Sequence, residues 1–181
     1  AKAFPQALTV GIDFWGKEWS YAKEQCEQNA AIEGVQNRVS FQKGDAAHLD
    51  FPDESFDVVT ACQCFWYFDH DRLMPKLYRM LKSEGRILVL YMAWLPYEDA
   101  IAGASEKLVL KYSPKWSGAG ETMHPISIPN CYGEKFQLVY QEEFPLKVSF
   151  TRESWNGRMK ACRGIGASLT EKEIAAWERE H

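Results

Sequence analysis

Apolar positions along this chain fall into blocks whose period switches between two and about three and a half residues, the signature of strands alternating with helices. Leu8 to Asp13 (LTVGID) reads as a first strand. Behind it Trp19, Ala22, Cys26 and Ala30 recur at helical spacing, and Gly34 is placed to end that helix. Val39 and Phe41 then alternate with polar neighbours ahead of a Gly44-Asp45 turn. Phe56 to Cys62 (FDVVTAC) is a nearly continuous apolar run, too short for a stable helix and rich in β-branched residues, which predicts a buried strand. Arg86 to Tyr91 (RILVLY) predicts another. Between them, Leu73, Leu77 and Leu81 mark one helix face behind an acidic start at Asp69 and Asp71, with Gly85 as the expected stop. Ile101, Ala104 and Leu108 predict a further helix to about Lys111.

From Ser113 to Gly133 the composition shifts to Pro, Gly, Ser and Asn with isolated aromatics, the mark of an ordered loop or lid over 113–133. Phe136, Leu138 and Tyr140, then Leu146, Val148 and Phe150, alternate strictly around Glu142-Glu143-Phe144-Pro145 and predict a hairpin with one face exposed. The remainder, 151–181, predicts two covering helices, the second opened by the capping box Thr170 and Glu173. The expected fold is α/β: a doubly wound, Rossmann-like, mostly parallel sheet with an antiparallel edge hairpin, in one domain over 1–181.

Composition narrows the functional classes. The chain has 181 residues and a formal charge of -4, which argues against a nucleic-acid partner or an acidic membrane held by bulk charge. Five scattered cysteines suit reduced thiols in a cytoplasmic protein. No apolar run approaches the roughly 20 residues that span a bilayer. Cys62-x-Cys64 has no second pair, so no metal site is expected.

In doubly wound sheets ligands bind beyond the carboxyl ends of the parallel strands. Asp13 ends the first strand, where a carboxylate accepts from the vicinal hydroxyls of a ribose, or simply caps the following helix. Phe14 or Trp15 next to it is suited to cover an adenine ring. Asp45 offers an acceptor for an exocyclic amine, or forms a plain turn with Gly44.

The order of three segments adds a family. VGID at 10–13, GDAAHLDFPDESFDVVTA at 44–61 and LYRMLKSEGRILVL at 77–90 resemble, over about half the chain, the class I S-adenosylmethionine-dependent methyltransferases of the type 11 kind. ACQCFWYFD at 61–69 is similar to the trans-aconitate-type branch, which carries a His where this chain has Trp66. The resemblance implies S-adenosyl-L-methionine as cofactor, with Asp13 and Phe14 at its ribose and adenine, Asp45 and Ala46 on the adenine edge, and Gln63 near the transferred methyl. It places Trp66 and Tyr67 beside a small-molecule acceptor. Two of the four aromatics Phe65 to Phe68 are expected in the core instead.

The family's Gly-rich loop and first strand are expected ahead of residue 1 and its last strand beyond His181. A start at Ala1, without Met, agrees with a chain trimmed at both ends.

Methyl transfer needs alignment and exclusion of water more than a dedicated base, so no catalytic residue is singled out. His124 in the lid is a candidate to face the acceptor. Arg152 and Arg163 lie in a basic stretch and could grip a carboxylate bidentately, against the alternative of a solvated helix face. The competing functions are a catalytically silent binding or regulatory protein of the same fold and an NAD(P)-dependent oxidoreductase, which shares the acid after its second strand.

Overall fold

The computed structural model describes residues 2–16, 22–120 and 126–181. Strand β1 (Thr9–Asp13) leads through helix α1 (Lys23–Ile32) to β2 (Val39–Lys43). The two strands pair in parallel, from Thr9 opposite Val39 to Asp13 opposite Lys43. The same β-α-β unit recurs with β3 (Phe56–Cys62), α2 (His70–Met80) and β4 (Leu81–Leu90), again parallel. Parallel neighbours need a crossover, and each unit supplies it as a helix. Helices α3 (Ala100–Tyr112), α4 (Arg152–Lys160) and α5 (Glu171–Glu180) complete the chain. This is an α/β protein. Trp19, expected in the first helix, lies outside the described residues.

Three expectations are corrected. Among the described residues the strands pair as two two-stranded sheets, β1-β2 and β3-β4, where one mostly parallel sheet is expected. Residues 137–150 hold neither helix nor strand, so the edge hairpin is not formed. Leu138, Tyr140, Leu146 and Val148 stand exposed along this segment. A two-stranded hairpin is marginal unless a further strand or helix covers its apolar face, and the alternation alone cannot supply that cover.

The third correction concerns burial. β3 and β4 bury one face only: Val59, Ala61, Ile87 and Val89 pack into the core while Val58, Leu88 and Leu90 are about half exposed. Gly85, expected to end a helix, lies inside β4. α2 ends at Met80, and the register jumps from Phe56–Leu81 to Val58–Arg86, so Lys82 to Gly85 bulge outwards. A Cβ at Gly85 would fall 2.8 Å from the Lys82 carbonyl oxygen, which explains the glycine by close backbone approach.

The chain gathers into two compact units, Ala1–Tyr91 with Ser127–Leu138, and Met92–Ile126 with Val139–His181. In the first, Phe65, Leu73, Met74 and Leu77 form the core with Ala61 and Tyr132. Asp69 caps α2 by accepting from the Arg72 N–H, so the acidic helix start works as its sequence predicts. In the second, Val109, Met159, Ile165 and Trp177 are fully buried. The capping box of α5 is present: Glu173 accepts from the Thr170 N–H at 2.9 Å, and the Thr170 hydroxyl accepts from Glu173 in return. No helix among the described residues is long and apolar enough to cross a membrane.

Candidate functional site

The carboxyl ends of β1, β2 and β3 carry the site. Parallel register sets Asp13 beside Lys43, and the Gly44 N–H donates to the Asp13 carbonyl at 3.0 Å. The loops holding Asp13 and Asp45 are thereby fastened to one another. The Asp13 carboxylate is half-buried and accepts from the Trp15 N–H at 3.2 Å. It does not cap α1, whose N-cap is Ala22, so Asp13 belongs to the strand-end turn.

Phe14 presents an exposed ring, with the Lys43 ammonium 5.2 Å from its centroid. Trp15 takes a left-handed conformation (φ 42°), and its buried indole Nε1 has no hydrogen-bond partner among the described residues. Buried donors are nearly always satisfied, so an unpaired one at a strand end points to an acceptor that arrives with a ligand.

Asp45 is exposed and caps a 3-10 turn over Ala46–His48. Its carboxylate accepts from the Ala47 N–H at 2.8 Å and meets His48 Nδ1 at 3.0 Å. These bonds, the backbone one foremost, hold its pKa below the ordinary carboxylate value, so Asp45 is an ionised acceptor with lone pairs to spare. Ala46, half-buried, follows it. Lys76 of α2 donates to the Ala47 carbonyl at 2.8 Å and so fixes this turn against the second β-α-β unit.

Gln63 follows β3 in a left-handed conformation (φ 60°), its N–H donating to the Leu90 carbonyl at 3.0 Å. It is exposed, which resolves why a polar residue interrupts the apolar run: the run ends there in a strained turn. Burial pushes the Cys64 thiol pKa up, with lesser contributions from Cys62 and from the Asp13 carboxylate.

The four aromatics after Cys64 divide in two. Phe65 is buried and Phe68 packs half-buried on the same core, whereas Trp66 and Tyr67 are exposed. Trp66 meets Tyr91 edge-on at 4.5 Å. Asp13, Phe14, Asp45, Ala46, Gln63, Trp66 and Tyr67 thus all belong to the strand-end loops of one compact unit. Arg152, the first residue of α4, and Arg163, exposed beyond its end, belong to the other unit. His124 lies outside the described residues.

One contact here has no signal in the sequence: His70, isolated in sequence, meets the Tyr132 hydroxyl at 3.1 Å across 62 positions, which no local pattern announces.

The residues fit the nucleoside part of a cofactor: two acceptor carboxylates on adjacent strand ends, an exposed aromatic ring next to the first of them, and an orphaned buried donor. Among the described residues no three His, Cys, Asp or Glu side chains gather as metal ligands.

Residues 1–89 match the family profile described as a methyltransferase domain. Demethylmenaquinone methyltransferase of Lactobacillus johnsonii is 30% identical over 87 residues, 48% of this chain and 34% of that protein. The enzyme of the same name from Thermus thermophilus is 36% identical over 87 residues, covering 48% and 37%. Ajmaline N-methyltransferase of Rauvolfia serpentina is 28% identical over 86 residues, covering 45% and 30%. The chain therefore spans about a third of the length of these relatives.

Proposed function

We propose that the protein transfers a methyl group from S-adenosyl-L-methionine to a small-molecule acceptor, a reading supported by the match of residues 1–89 to a methyltransferase-domain family. The observation that carries this reading is the fastening of Asp13 to Gly44 with Asp45 next in the chain, which holds two carboxylates on neighbouring strand ends.

Bound there, the cofactor supplies an electrophilic methyl on a sulfonium. The chain's part is to hold and orient. Asp13 accepts from the ribose hydroxyls, Phe14 and the Trp15 indole line the adenine, and Asp45 with Ala46 takes the adenine edge. Gln63, Trp66 and Tyr67 line the methyl-bearing end, where aromatic faces favour a cation and exclude water. No general base is assigned. An acceptor that is already anionic needs none.

The relatives named above carry the names of demethylmenaquinone and of ajmaline, so the likeness does not specify the acceptor. Within the proposal the acceptor is a carboxylate-bearing molecule, gripped by Arg152 or Arg163, and the location is cytoplasmic. No nucleic-acid or membrane partner is part of it.

Thermal unfolding with added ligand tests the cofactor directly. Stabilisation by S-adenosylhomocysteine but not by NAD, and its loss in Asp13→Ala, is the expected result. Stabilisation by NAD alone would replace this reading with an oxidoreductase.

A further inference from the structure

Ala47 is held by both of its backbone polar groups. Its N–H donates to the Asp45 carboxylate at 2.8 Å, and its carbonyl accepts from the Lys76 ammonium at 2.8 Å. Building on the cofactor reading above, we infer that Lys76 is a positioning residue for the base: by gripping the Ala47 carbonyl it holds the Asp45 carboxylate still, and that rigidity makes the chain select a purine with an exocyclic amine over one with a carbonyl at the same position.

Lys76 lies in α2 at the border of the face that buries Leu73, Met74, Leu77 and Met80. Its side chain is half-buried, and among the described residues its ammonium meets no carboxylate; the Ala47 carbonyl takes that place. Such a bond is charge-assisted and stronger than one between neutral groups. A half-buried ammonium that gave it up would lose an acceptor without regaining full hydration.

Three anchors fix the turn that carries Asp45. Ahead of it the Gly44 N–H bonds the Asp13 carbonyl, behind it Leu49 packs against the core of Phe65, Leu73 and Leu77, and Lys76 holds the middle. Because the Asp45 carboxylate accepts from the Ala47 N–H, its direction follows the Ala47 backbone. His48, whose Nδ1 lies 3.0 Å from the other carboxylate oxygen, belongs to the same turn and moves with it. Without Lys76 the two outer anchors remain and the middle is released. Asp45 then loses its fixed direction while the core keeps its packing.

Rigidity converts an acceptor into a selector. Adenine offers an N–H donor to the carboxylate, whereas hypoxanthine offers a carbonyl oxygen whose lone pairs face it. A fixed carboxylate gains with the first and repels the second; a mobile one turns aside from the second and orders itself at a cost for the first.

Calorimetric titration of the full chain with S-adenosylhomocysteine and with S-inosylhomocysteine, its carbonyl counterpart, reads this selection without methyl transfer. The parent should bind the amine form at least about tenfold more tightly, the scale of one charge-assisted hydrogen bond. In Lys76→Met, which keeps a helix former with an apolar stem, the preference should fall to about twofold or less, while Lys76→Arg, which keeps a cationic donor of similar reach, should retain most of it. Amide exchange of the ligand-free chain gives a second readout: the Ala47 N–H should exchange about tenfold faster or more in Lys76→Met than in Lys76→Arg. An unchanged preference in Lys76→Met, with both ligands weakened equally, would overturn the positioning role and leave the cofactor reading standing. Equal binding of the two ligands by the parent would overturn the selection at Asp45 and with it the part given to Lys76. Binding of neither by the parent would overturn the cofactor reading itself and this inference together.

Discussion

The Gly44 N–H donates to the Asp13 carbonyl at 3.0 Å, closing the ends of β1 and β2 into one rim. Gly44 has little room for anything larger. A Cβ there would fall 2.7 Å from Ile12 Cγ2, and a β-branched side chain on a strand has few rotamers with which to yield. Gly44→Ala should therefore displace the rim and with it the spacing of the Asp13 and Asp45 carboxylates. We expect affinity for S-adenosylhomocysteine to fall by about tenfold while stability falls by only ~1–2 kcal/mol. Calorimetry and chemical denaturation on the same preparation check it, and unchanged affinity would detach the rim from cofactor binding.

That rim was largely legible in the sequence, because Asp13, Gly44 and Asp45 sit where short apolar runs end and turn residues begin. Local period and turn chemistry report such features well. What was not legible depends on partners far along the chain. The run ending at Cys62 reads as buried on both faces, yet Val58, Leu88 and Leu90 are half exposed, since a run of apolar residues records preference and not the presence of a covering layer. Residues 136–150 alternate like a hairpin and form no strand, for the same reason. Gly85 reads as a helix stop, but its role comes from the crowding of Lys82 and Leu81 against it, a packing fact without a local signature. Gln63 is placed near the transferred methyl by resemblance alone, and its positive φ, which marks the turn after β3, has no local signature in the sequence.

Glu106 on α3 is buried, and its two carboxylate oxygens accept from the Trp94 indole at 2.5 Å and from the Gly120 N–H at 3.0 Å. It pins the start of the 113–133 segment. Glu106→Ala leaves two donors without acceptors and should cost about 2–4 kcal/mol, whereas Glu106→Gln keeps one of the two bonds and should cost about half as much. Urea denaturation followed by tryptophan fluorescence measures both. Equal costs for the two variants would mean that the bonds contribute little beyond the volume of the side chain.

His181 makes stability depend on acid. Its pKa in the folded chain is below the ordinary 6.5, so the folded state binds fewer protons than the unfolded one as pH falls. The contribution is whole above pH 6.5 and is progressively lost below it. His181→Phe keeps a ring to stack on Trp177 and removes the titration. The expected outcome is a variant less stable at pH 8, having lost the contact with Ser105, but with a shallower fall in stability between pH 6.5 and 5. Denaturation midpoints across that range give the slope, and identical slopes in the two proteins would contradict the assignment.

Tyr132 separates packing from hydrogen bonding in the first core. Its ring lies 5.7 Å from Phe65 and 6.1 Å from Phe136, and its hydroxyl meets His70 at 3.1 Å. Tyr132→Phe retains the ring and deletes one hydrogen bond, so it should cost about 1 kcal/mol. Leu77→Ala, in the same cluster, removes buried volume and should cost about 2–5 kcal/mol. The two losses also differ in their response to pH. Burial pushes the Tyr132 hydroxyl up from 10.0 to about 12, so the folded state holds this proton where the unfolded state releases it. Its stabilising effect is complete below pH 10 and declines as pH rises above that value. Tyr132→Phe should therefore be destabilised relative to the parent at pH 8 and narrow the gap as pH rises towards 11, while Leu77→Ala keeps a constant deficit. Parallel denaturation series for the three proteins test both statements, and a gap for Tyr132→Phe that stays constant with pH would show that the hydroxyl is not held by burial.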